Sequence, residues 1–98
     1  MNFIQDSTIC GTSLQGYVAA TIHQLEAVFG HPTYDETSGD DKVDVEWNLR
    51  FDDGTVATIY NWKDYDGGQR VRSGVEYEWH IGGKNRIAVA NVLEALGV

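Results

Sequence analysis

Cysteine occurs once in these 98 residues, at Cys10, so neither an internal disulfide nor a multi-cysteine metal site can form. A lone cysteine fits a reducing setting, and Cys10 reads as an inert packing residue. Proline also occurs once, at Pro32, where it bars a preceding helix from continuing. Basic side chains are scarce, with 7 Lys and Arg against 15 Asp and Glu, a formal charge of -8. Generic binding to phosphate backbones is excluded on that ground, because such affinity comes from clustered cations. No apolar run is long enough to span a membrane. The start, Met1-Asn2-Phe3-Ile4-Gln5-Asp6, lacks the basic and apolar regions of a secretion signal, so a cytoplasmic protein is expected.

The acidic excess has two readings. One is solubility. The other is a surface that mimics nucleic-acid charge toward a basic protein, with Asp35, Glu36, Asp40, Asp41, Asp44 and Glu46 as its residues. Residues 1–98 make one domain with one core and little room for a deep internal cavity. A sizeable ligand would therefore sit on the surface or between subunits.

The periodicities predict an α+β two-layer sandwich. Thr12-Ser13-Leu14-Gln15 matches a capping box, and Leu14, Tyr17, Val18, Ile22, Leu25, Val28 and Phe29 follow at helical spacing, so a helix is expected over Ser13–Phe29. Gly30 and Pro32 end it. A polar loop covers 31–42. Val43, Val45, Trp47, Leu49 and Phe51 then alternate with polar residues, giving a strand with one buried face. Asp52-Asp53-Gly54 is a tight turn into a returning strand, Thr55 to Trp62, apolar on both faces and so central. After a mobile loop over 64–74, Val75, Tyr77, Trp79 and Ile81 mark a third strand that Gly82-Gly83 breaks. A second helix is expected from about Asn85 to Leu96, and Phe3-Ile4 reads as a short edge strand. The expectation is a three-stranded antiparallel meander with an N-terminal and a C-terminal helix on one face.

No catalytic order of Ser, His and Asp, no activated thiol and no metal-ligand spacing is present, and no cofactor is implied. The three histidines, His23, His31 and His80, lie far apart on different elements. Two clusters stand out instead, Tyr60-Asn61-Trp62-Lys63 and Glu78-Trp79-His80-Ile81-Gly82-Gly83. Aromatic rings can stack on a flat ligand, Asn61 can read a base edge, and Lys63 can meet a phosphate. Their bland reading is packing, since Tyr60 and Trp62 share the face of Val56, and Trp79 lies on the apolar face of its strand. On the alternation, Asn61, Lys63 and His80 project opposite the aromatics or at strand ends. Gly82-Gly83-Lys84-Asn85-Arg86 stands where a strand becomes a helix. Free N–H groups there, with Lys84 and Arg86, suit a phosphate; the alternative is a structural turn. The candidate ligand-binding set is Tyr60, Asn61, Trp62, Lys63, Trp79, His80, Lys84 and Arg86.

The strings Thr12-Ser13-Leu14-Gln15-Gly16-Tyr17, Asp53-Gly54-Thr55-Val56-Ala57-Thr58-Ile59-Tyr60-Asn61-Trp62-Lys63 and Trp79-His80-Ile81-Gly82-Gly83 resemble a family of small bacteriophage proteins, over roughly residues 12–92. Within it the chain is similar to the Thoeris anti-defence sponges. The resemblance implies a non-enzymatic protein of the infected bacterial cell. Such a protein sequesters a cyclic ADP-ribose-type immune signal, in some cases also cyclic oligonucleotides, in sites between subunits of a homo-oligomer. It also implies aromatic, Asn and Arg contacts, for which Arg70, Arg72 and Arg86 are the candidate arginines. The runner-up is the acidic protein-binding inhibitor or DNA mimic described above.

Overall fold

The computed structural model describes residues 1–98. Five strands form one antiparallel sheet: β1 (Phe3–Gln5), β2 (Ser13–Ala20), β3 (Glu46–Phe51), β4 (Val56–Tyr60) and β5 (Tyr77–Gly83). Three helices accompany them: α1 (Ile22–Phe29), α2 (Gln69–Arg72) and α3 (Ile87–Leu96). The strand order is β1-β3-β4-β5-β2. The expected α+β layering stands, with β3-β4-β5 as the central meander. The expected Phe3-Ile4 edge strand is present as β1 beside β3, and the sheet is wider than expected by β2, which joins β5.

The larger correction concerns residues 13–20. They form β2, paired with β5 from Ser13↔Gly83 to Ala20↔Tyr77, rather than the first half of a long helix. Only Ile22–Phe29 is helical, and its cap is Thr21, not Thr12. The Thr21 hydroxyl accepts the Gln24 N–H at 3.1 Å, and the Gln24 side chain accepts the Thr21 N–H at 2.8 Å. Gln15 instead bulges between Leu14 and Gly16 and donates to the Gly83 carbonyl at 3.2 Å. Gly16 suits this position because a Cβ there would stand 2.9 Å from Val89 of α3. The segment over 64–74 also departs from expectation, since it contains α2 and plants Val71 in the core. Cys10 is exposed between β1 and β2 rather than packed.

One face of the sheet carries the core. Val18, Trp47, Leu49, Ile59, Trp79 and Ile81 meet Leu25 and Phe29 of α1 and Ala88 and Val92 of α3. Trp47 and Trp79 pack edge to face at 5.4 Å between ring centroids. Their indole N–H groups donate to the Gly30 and Ala20 carbonyls at 2.9 and 3.0 Å, so neither buried ring carries an unpaired polar atom. No helix is packed on the opposite face.

Candidate functional site

Alternation along β4 sends Ala57, Ile59 and Asn61 toward the helices, and Val56, Thr58 and Tyr60 to the helix-free face. In β5, Trp79 and Ile81 point inward while Glu78, His80 and Gly82 point out. Both faces of β4 are apolar in sequence, so alternation alone does not say which one the helices cover. His80 therefore lies on the same face as Tyr60 and Trp62, not opposite them.

The strand register lines up one row across the sheet. Tyr34 bridges to Glu46, Glu46 pairs with Tyr60, Tyr60 with His80, and His80 with Tyr17. Four interstrand steps of roughly 4.8 Å make this row about 19 Å long. Its rings touch. Tyr17 and His80 centroids are 4.9 Å apart, Tyr60 and His80 5.4 Å, and Tyr60 and Trp62 6.1 Å. Tyr60 also leans over Gly82, where a Cβ would lie 3.4 Å from its ring. Trp62, 39% exposed, closes one side of the cluster, with the Lys42 and Lys63 ammonium groups 5.9 and 5.6 Å from its centroid. Tyr17 is 48% exposed. Neither Tyr17 nor Lys42 stood out in the sequence as a site residue; Tyr17 was hidden by the helical reading of its segment.

The row also sets the electrostatics. Burial lowers the His80 pKa from its ordinary value, with Glu78 and Asp64 opposing more weakly, so the site favours the uncharged imidazole. Its Nδ1 is buried without a hydrogen-bond partner. Burial raises the Glu46 carboxyl, and the Asn48 amide opposes this: with its nitrogen turned to the carboxylate, it donates to Oε2 at 2.9 Å. Tyr60 is raised, first by burial and then by the Glu46 and Tyr17 charges.

The other expected site residues lie elsewhere. Asn61 is fully buried, and its amide is used up within the protein. Its Oδ1 accepts the Asp44 and Val45 N–H groups at 2.8 and 3.0 Å; its Nδ2 donates to the Asp44 and Asp64 carboxylates at 2.8 and 3.0 Å. The same Asp64 accepts from the Tyr77 hydroxyl at 2.8 Å, so it is turned to that network rather than to His80. This clamp holds a turn in which Lys63 and Tyr65 take left-handed φ values of 56° and 55°. Trp79 is fully buried core.

Lys84 and Arg86 lie beyond the far end of β5 from Trp62. Lys84 lines a separate hollow of about 320 Å³ with Arg50, Asp53 and Asn85. The start of α3 is already engaged: the Ile87 N–H donates to Asn85 Oδ1 at 3.0 Å, and the Ala88 N–H to the Asn85 carbonyl at 3.3 Å. Gly83 is explained by packing, since a Cβ there would come within 2.5 Å of Ala88. Of the remaining candidate arginines, Arg72 is tied to Asp35 at 2.7 Å and Arg70 lies 5.9 Å from the Tyr77 ring.

The largest cleft, about 870 Å³, does not coincide with the aromatic row. It is bounded by the 31–43 segment, with Asp35, Glu36, Asp40 and Glu46 on its walls, and meets the row only at Tyr34, Glu46 and Trp62. A phosphate entering it would face like charge. The helix-free face, with two lysines at its rim, is the better place for an anionic flat ligand. No three His, Cys, Asp or Glu side chains converge as metal ligands. Compared with protein-family models, with curated proteins and with solved structures, the chain has no match.

Proposed function

We propose that this protein binds a cyclic nucleotide-type ligand on the helix-free sheet face and sequesters it without cleaving it. The carrying observation is the aromatic cluster of Tyr17, His80, Tyr60 and Trp62, contiguous across the sheet and rimmed by Lys42 and Lys63. Rings on a sheet surface offer π-faces to flat bases, and the rim cations offer charge to a phosphate. Nothing beside the cluster supplies an activated nucleophile, which favours holding over turnover. The resemblance gives the ligand class, a cyclic ADP-ribose isomer or a cyclic oligonucleotide. It also gives the setting, counter-defence by a phage-encoded homo-oligomer in the cytoplasm of an infected bacterium.

The test is calorimetric titration with cyclic ADP-ribose isomers and cyclic dinucleotides, followed by heat release and recovery of the ligand. Binding with intact recovery is expected. Stacking contributes roughly 1–3 kcal/mol per base, so Tyr60→Ala and Trp62→Ala should each weaken binding at least fivefold. Arg86→Ala should leave it unchanged. No heat with any of these ligands at millimolar concentration would refute the reading. A second reading is favoured by the acidic cleft: a protein inhibitor that takes a basic host surface against Asp35, Glu36, Asp40 and Glu46. Pull-down of a stoichiometric basic partner, released by salt, would favour it.

A further inference from the structure

β2 is the last strand of the sheet, and its outer edge has no partner. Edge strands of this length are usually guarded by charge or proline. Here neither occurs: no Asp, Glu, Lys or Arg stands between Asp6 and Glu26, and the one proline is Pro32. The only guard is the bulge at Leu14–Gly16, which leaves Tyr17–Ala20 regular. In a chain of charge -8, two copies repel wherever acidic surface meets acidic surface; both edge strands are uncharged, but β2 offers eight residues for pairing where β1 offers three. Alongside it runs an apolar groove of about 250 Å³, lined by Val18, Ala20, Ala27, Val28, Leu96 and Val98.

We infer that β2 pairs antiparallel with β2 of a second copy, joining two five-stranded sheets into one. A two-fold axis normal to the sheet at Val18 sets Tyr17 of one copy opposite Ala19 of the other. Both residues lie on the helix-free face, so the partner's Tyr17 falls diagonally beside Tyr17, at the end of the aromatic row rather than in line with it. The same axis puts the two apolar grooves side by side under the joint, where they are covered. The inference rests on the homo-oligomer of the proposed function and names its surface.

Sedimentation equilibrium at tens of micromolar tests it, with amide hydrogen exchange as the second readout. Wild type should sediment at twice 10.9 kDa, and the Tyr17–Ala20 amides should exchange more slowly as concentration rises. Ala19→Glu, an exposed position, should weaken self-association at least tenfold while the far-UV circular dichroism of the folded chain is unchanged. Ile4→Glu, on the opposite edge strand and 63% exposed, should leave the dimer intact. A wild-type monomer would overturn the inference and remove self-association from the proposed function too. A dimer indifferent to Ala19→Glu, or one dissociated by Ile4→Glu, would overturn the β2 edge alone.

Discussion

Asn61 shows how a side chain suited to reading a ligand can be spent on the fold. Its four amide hydrogen bonds tie the Asp44–Val45 backbone to Asp64, and Thr37 donates to the same Asp44 at 2.7 Å. Asparagine supplies two acceptor sites and two donors, and all four are used. Alanine at this position would leave the buried Asp44 and Val45 N–H groups unpaired and the two carboxylates unbridged. Each unsatisfied buried group costs roughly 1–3 kcal/mol, so Asn61→Ala should lower stability by about 2–4 kcal/mol. Urea denaturation with an unchanged m-value measures it. A loss under 0.5 kcal/mol together with weakened ligand binding would return Asn61 to the site. The sequence showed Asn61 between two aromatics but gave no sign that it faces inward. That depends on which face of β4 the helices cover.

At the scale of elements, the inward faces of β3 and β5, the Asp52-Asp53-Gly54 turn, the β1 edge and α3 were legible, because the sequence marks each of them locally. The segment from Ser13 to Phe29 was not. Leu14, Tyr17, Val18 and Ile22 fit a helical stripe, yet Val18 and Ala20 turned inward fit a strand equally well over so short a stretch. The tie is broken by β5, sixty residues away, which local pattern cannot register. The chain also offers two similar capping strings: Thr12 is followed three residues later by Gln15, and Thr21 by Gln24. Only the second closes as a capping box. Losing a cap hydroxyl costs about 1 kcal/mol, so Thr21→Ala should destabilise by that amount. Thr12→Ala should stay within about 0.5 kcal/mol of wild type. Thermal melts of the two variants decide it. The reverse order would restore a helix beginning at Ser13.

For the whole molecule, two fields act on an anionic ligand at the aromatic face. The net charge of -8 repels it from a distance, while Lys42 and Lys63 attract it at contact. The distant term acts through solvent and is screened beyond a Debye length of about 10 Å at 0.1 M salt; contact pairs are screened less. Raising ionic strength from about 0.05 to 0.5 M should therefore remove more repulsion than attraction. The affinity for a cyclic nucleotide is expected to hold or rise, and its association rate to rise. A basic protein seated against Asp35, Glu36, Asp40 and Glu46 gains from both fields, so the same change should weaken it at least tenfold. Stopped-flow quenching of Trp62 by ligand, at several salt concentrations, separates the two. Trp62→Phe removes the signal that belongs to this face. A nucleotide affinity that collapses with salt would mean that the two lysines outweigh the rest of the chain's charge. Binding would then rest on ion pairing at Lys42 and Lys63 rather than on the stacked rings.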